Sequence, residues 1–112
     1  MRYLVTGKYN EPGPMLPPDR VAAMLEEIIL PSLKILAQWE ADGTMVAGGV
    51  QLTSRTGTMI IEAASNDALD KMVAQLPFWG MLTWTAVPLT SFAERAKVEG
   101  DLLADLKKRL AG

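Results

Sequence analysis

Between Val21 and Glu40 the apolar side chains Val21, Met24, Leu25, Ile28, Ile29, Ile35, Leu36 and Trp39, with Ser32 among them, recur three or four residues apart. That spacing places them on one broad buried stripe of a long helix. The apolar stripe of such a helix has to be covered by another element of the fold. Pro31 lies inside the run, lacks an amide proton and clashes with the preceding turn, which predicts a kink or short break near Ile28 to Leu30. Asp42-Gly43 closes the helix, with Gly43 supplying a left-handed residue.

The flanking segments read accordingly. Arg2 to Tyr9 is a strand with Tyr3, Val5 and Tyr9 at alternate positions, followed by a proline-rich loop from Asn10 to Pro18. Asp19 is a candidate cap for the helix. Thr44 to Leu52 is a weaker strand, and its Gly48-Gly49 pair predicts a bulge or the close approach of a ligand or another backbone. Thr53 to Gly57 is turn-like, and Thr58 to Ala63 is a strand apolar on both faces except at Glu62. Ser65 caps a second helix that buries Leu69, Met72, Val73 and Leu76 and stops at Pro77. Gly80 to Leu89 is a fourth strand with Leu82, Trp84 and Ala86 on one face and Thr83, Thr85 and Val87 on the other. A last helix, Ser91 to Ala111, carries Leu102, Leu103, Leu106 and Leu110 on one side.

The order β-α-β-β-α-β-α matches the split βαβ, ferredoxin-like arrangement with an extra C-terminal helix. The chain of 112 residues is read as one α+β domain, with residues 1–90 as core and 91–112 as the added helix. Two helices would cover one face of the antiparallel sheet. The other face is too apolar to be left in water, because a solvated face alternates more cleanly. A second copy of the chain is the expected cover.

Composition removes several chemistries. There are no cysteines and no histidines, so disulfides, thiolate nucleophiles, Ser-His-Asp triads and histidine metal sites are excluded, and no metal or cofactor is expected. A net charge of −2 lacks the footprint of a nucleic-acid binder. No apolar stretch approaches the ~20 residues needed to span a bilayer, and no leader segment is read before the first strand. Together with the absence of cysteine, this gives a cytoplasmic expectation.

Among ionisable residues Glu62 stands out, because it lies between Ile60-Ile61 and Ala63-Ala64. In a dry pocket its pKa would rise, as suits a general base; on a wet strand edge it would simply pair with a cation such as Arg55 or Lys8. Lys8 and Tyr9 end the first strand and would offer a cation and a hydroxyl at a pocket mouth, or be solvated. Arg55 would fork onto a substrate carboxylate, or decorate a turn. Trp79 and Trp84 would stack on an aromatic ligand, or pack in a core or interface. The Gly48-Gly49 pair does not make a phosphate loop.

The run Ser65-Asn66-Asp67-Ala68-Leu69, the segment Leu76-Pro77-Phe78-Trp79-Gly80-Met81 and the end Val87-Pro88-Leu89 resemble the C-terminal half of muconolactone isomerases. The resemblance implies the dimeric α+β barrel, in which two sheets face each other and small-molecule pockets lie between sheet and helices. Where that family carries Trp, Arg and His after its Gly-Thr, this chain reads Met45-Val46-Ala47-Gly48-Gly49, and Glu62 alone matches an acidic family position. The resemblance implies a homodimer binding a small apolar or aromatic molecule without a cofactor. Three activities follow as expectations. One is proton-transfer isomerisation with Glu62 as base and Arg55 or Lys8 holding an anionic group. Another is cofactor-free oxygenation of a phenol involving Trp84 and Asn66. The third is binding or assembly without catalysis.

Overall fold

The computed structural model describes residues 1–10 and 16–112. The expected loop from Asn10 to Pro18 therefore has its centre, residues 11–15, outside the described residues. The elements are β1 (Arg2–Tyr9), α1 (Pro18–Met24), a π-helical turn (Leu25–Ile29), α2 (Leu30–Asp42), β2 (Met45–Val50), β3 (Thr56–Glu62), α3 (Asn66–Ala74), a 3₁₀ turn (Trp79–Met81), β4 (Leu82–Leu89) and α4 (Phe92–Ala111). The four strands form one antiparallel sheet in the order β2-β3-β1-β4, which is the expected α+β, ferredoxin-like order.

β1 is the organising strand. It pairs with β3 from Arg2↔Glu62 to Lys8↔Thr56 and with β4 from Arg2↔Leu89 to Tyr9↔Leu82. Strand side chains alternate between faces, so Tyr3, Val5, Met59, Ile61 and Trp84 share the face beneath the helices. Tyr3, Val5 and Ile61 are almost fully buried, and Leu69 and Val73 of α3 close over them, with Leu36 and Trp39 of α2 packed alongside. The opposite, open face carries Leu4, Ile60, Val87 and Leu89, with Arg2, Glu62 and Lys8 toward its ends.

The break expected near Pro31 takes the form of the π-helical turn. The Leu30 N–H donates to the Leu25 carbonyl five residues back, so the helix gains a residue just before the proline that cannot donate. Asp19 is not the cap. Pro17 occupies that place and makes no side-chain bond, Pro18 fills the first helical position, and Asp19 sits in the first turn, where the helix dipole favours its charge. Ser65 caps α3 by accepting from Ala68 N–H at 3.1 Å. Gly43 ends α2 with φ 84°.

β2 is shorter than expected, and its irregularity falls between Met45 and Ala47 rather than at the glycine pair. Gly48 instead meets its neighbour strand closely: a Cβ there would lie 2.8 Å from Met59 Cβ and 2.9 Å from the Thr58 carbonyl oxygen.

One buried polar group ties the helical layer to the last crossover. Ser32 is fully buried; its hydroxyl donates to the Ile28 carbonyl at 2.8 Å and accepts from Phe78 N–H at 3.0 Å. Both capacities of the hydroxyl are used, and a backbone amide 46 residues away is satisfied by it. Ser32→Ala should therefore lower the unfolding free energy by about 1–3 kcal/mol, the range for orphaning a buried hydrogen-bonding group. Urea denaturation followed by tryptophan fluorescence measures this; an unchanged midpoint would show that Phe78 N–H finds another acceptor.

Candidate functional site

The end of β1 near Tyr3, the strand β4 and the first two turns of α3 border a half-open cavity of about 330 Å³. Its floor is Tyr3 and Val5, and its helix side is Asn66, Leu69, Asp70 and Val73. Trp79, Trp84, Ala86 and Pro88 complete it from β4 and the turn before.

The aromatic wall is held in place. Trp84 Nε1–H donates to the Trp79 carbonyl at 2.9 Å, and the Trp84 ring meets Phe78 at 6.2 Å in a tilted arrangement. The indole lies directly over Gly7 of β1, where an added Cβ would come within 2.6 Å of its ring carbons. The missing side chain at Gly7 is what lets the tryptophan approach the sheet this closely. Its spacing from Val5 and Tyr3 put it on the helix face, but the sequence alone did not indicate which ring it would admit.

The polar edge comes from α3 and β1. The Tyr3 hydroxyl donates to Asn66 Oδ1 at 2.6 Å. This commits the amide oxygen and leaves the Asn66 NH₂ group as the donor available to a ligand. Asp70 stands one helical turn further along, so both side chains project on the same side of α3. Among the described residues no lysine or arginine lines this cavity. The site thus offers a flat aromatic wall, one amide donor and one carboxylate acceptor.

The residues singled out from sequence are not gathered in one place. Trp79 and Trp84 line this cavity. Tyr9 and Arg55 meet elsewhere: the guanidinium lies 5.2 Å from the Tyr9 ring centroid, a cation–π distance. Both border a separate apolar hollow of about 180 Å³ with Leu25 and Ile29 of the π-helical turn, Phe78 and Leu82. Lys8 is exposed and lies on the open face. Glu62 is also on the open face, six positions along the paired strands from Lys8's level, or about 20 Å. It is ion-paired with Arg2 and lies 3.7 Å from the Met1 amino group. The Arg2 hydrogen bond lowers its carboxyl pKa, outweighing a slight upward push from burial. A raised value was expected only for a dry pocket, and the pairing expected for a wet edge is made with Arg2 instead of Arg55 or Lys8.

Tyr3 and Asp70 were not picked out from sequence. Their signal was present but indistinct. Tyr3 is one of several strand aromatics, and Asp70 follows Asn66 by four residues on a helix whose dominant pattern is its apolar stripe.

A family model described as the YCII-related domain matches residues 1–93. The chain belongs to the YCII-related domain family. Among solved structures this YCII-related chain is similar to muconolactone isomerase, with 16% identity, TM-score 0.66, and coverage of 81% of this chain and 90% of that one. It is also similar to 5-chloro-2-hydroxyhydroquinone dehydrochlorinase (TftG) from Burkholderia phenoliruptrix AC1100, determined in complex with 2,5-dihydroxybenzoquinone. There the identity is 20%, the TM-score 0.57, and coverage 84% and 98%. The likeness to muconolactone isomerase that the Ser65–Leu89 motifs implied is present at the level of the fold. None of the curated proteins compared with the chain matches it. The family match ends at Ala93, the second residue of α4, so nearly all of that helix lies beyond the matched residues.

Two measurements follow. Gly7→Ala should displace the Trp84 indole, lower stability by about 1–3 kcal/mol and shift tryptophan emission. Unchanged emission would mean the ring is not seated on β1. For Glu62, the lowered folded-state pKa means its contribution is fully present above the ordinary glutamate value of about 4.3 and is lost as pH falls through the lower folded value. Glu62→Gln should therefore flatten the acid limb of stability against pH while leaving the neutral region's shape alone. An acid limb as steep as that of the parent protein would show that the Arg2 pairing does not hold in solution.

Proposed function

We propose that this YCII-related protein is a homodimer that binds a small, neutral, hydroxylated aromatic molecule in the cavity between α3 and strands β1 and β4. The observation that carries the reading is the pairing of the Trp79–Trp84 wall with an Asn66–Asp70 polar edge, with no lysine or arginine among the described residues that line the cavity. A flat ring stacks on the indoles, a ring hydroxyl donates to Asp70, and a second oxygen accepts from the Asn66 amide. A ligand carboxylate would face the Asp70 charge at close range and would be disfavoured. The dehydrochlorinase structure, which holds a dihydroxylated six-membered ring, supports the ligand class. The apolar open face of the sheet, with Leu4, Ile60, Val87 and Leu89, supports face-to-face pairing of two copies.

A second reading concerns chemistry. Trp84 and Asn66, the pair expected for cofactor-free oxygenation of a phenol, both line this cavity. In that reaction one oxygen atom of O₂ enters the ring and the other leaves as water, the phenol becoming a quinone. Isomerisation with Glu62 as base would need a different site, on the open face between two copies, with Glu62 freed from Arg2.

Titration of tryptophan fluorescence with hydroquinone and with 2,5-dihydroxybenzoate separates these possibilities. Hydroquinone should bind and quench, and the carboxylated ring should bind more weakly. Asp70→Asn should weaken hydroquinone about tenfold, the loss of one charge-assisted hydrogen bond, and should narrow the gap between the two ligands. Equal binding of both rings by the parent protein would remove Asp70 from the site. Oxygen uptake with a phenol panel, abolished in Asn66→Ala, would establish the oxygenase; binding without uptake or isomerisation would leave a binding module.

A further inference from the structure

α4 is the part of the molecule that its own domain does not explain. It runs for 20 residues, about 30 Å, and every one of them is exposed. Ser91 caps it, accepting from Glu94 N–H at 3.0 Å, so its start is well defined. On its length Phe92, Leu103, Leu106 and Leu110 fall along one line, with Leu102 and Val98 beside it. Phe92 is 95% exposed and Leu110 86%. A lone helix of this length is marginal in water, and Gly100 weakens its middle further.

The dimensions measure how much surface is uncovered. The molecule extends 74 Å against 31 and 24 Å in the other directions, and its radius of gyration is 19.8 Å where a compact chain of this length has about 13 Å. Its accessible surface is 8210 Å², whereas a compact monomer of this mass exposes about 6,100 Å². The surplus of about 2,100 Å² per copy exceeds the ~800 Å² that each partner contributes to a standard interface and falls in the range of obligate homodimers.

The place where α4 begins bears on its partner. Ser91 and Phe92 border a hollow of about 560 Å³ together with Ile60, Glu62 and Leu89. Phe92, at the start of α4, therefore borders the open face of the sheet, the face that a second copy would meet. The helix is poorly suited to a lipid surface. Glu94, Glu99, Asp101 and Asp105 offset its five basic residues, and the Arg95–Glu99 pair, at 2.7 Å, lies on the apolar side itself.

We propose that α4 is an exchanged arm: in a pair of copies each α4 lays its apolar line along the partner molecule, extending the sheet-to-sheet contact. This rests on the homodimer reading above and adds to it the element beyond the family domain that clasps the pair.

The test uses the full chain and a Leu103→Glu/Leu106→Glu variant. Sedimentation across a dilution series gives the dimer constant, and hydrogen exchange read by mass spectrometry gives α4 protection at each concentration. The expected result is a dimer whose α4 amides are protected and lose protection on dilution, with the variant dissociating about tenfold or more readily. Because both leucines are exposed in the single copy, the variant should keep the parent's near-UV spectrum. A dimer in which α4 exchanges as a free helix, with the variant dissociating no more readily, overturns the arm and leaves the homodimer standing. A monomer at every concentration overturns both. Protection of α4 that appears only on adding vesicles of anionic phospholipid overturns the arm in favour of membrane attachment.

Discussion

Because β1 is hydrogen-bonded along both edges, its two-residue alternation decides the face occupied by every side chain of the sheet. Tyr3, Val5 and Gly7 face the helices, and Arg2, Leu4, Thr6 and Lys8 face away. A slip of one residue in either pairing would drive Arg2 and Lys8 under α3 and expose Tyr3, so the register is fixed by the cost of burying unpaired charge. The core follows from that choice. Met59 and Ile61 arrive opposite Val5 and Tyr3, and Leu69 and Val73 need only the spacing of one α3 stripe to cover them. The cavity follows too, since Gly7 leaves room on this face for the Trp84 indole.

The helical layer is adjusted to the sheet by two linked local features. Pro31 cannot donate in the middle of a long helix, and the π-helical turn before it changes the phase of the apolar stripe at that point. The next residue, Ser32, is then fully buried, where its hydroxyl holds the Phe78 amide. Phe78 packs against Trp84, and Trp84 is bonded to the Trp79 carbonyl. A hydrogen bond in the helical layer is thus connected through packed rings to the wall of the proposed binding site.

The two faces of the sheet divide the labour. The helix face holds the core and a cavity whose polar edge is hydroxyl, amide and carboxylate. The open face holds an apolar centre with charges at its margins, and α4 begins at its border. Ligand binding and association would thus use opposite sides of the same four strands. β4 takes part in both, through Trp84 and Ala86 on one side and Val87 and Leu89 on the other. Pairing of two copies would therefore bear on the strand that forms one wall of the cavity.

The linear pattern determined the elements and their faces: two-residue alternation in Arg2–Tyr9 and Leu82–Leu89, the three-and-four spacing of Val21–Glu40, the Ser65 cap and the break before Pro31. These depend on neighbours within one or two turns, and that information is local. It also put Trp84 on one face of its strand with Leu82 and Ala86, and it excluded histidine and cysteine chemistry. The tertiary structure decided which side chains meet. It brought Tyr3 to Asn66 across 63 residues, seated Trp84 on Gly7, joined Arg55 to Tyr9, and gave Glu62 to Arg2. It also left α4 without cover in its own domain. Each of these depends on strand register and crossover path, and contacts between residues far apart in the chain carry no signature in the sequence near either one.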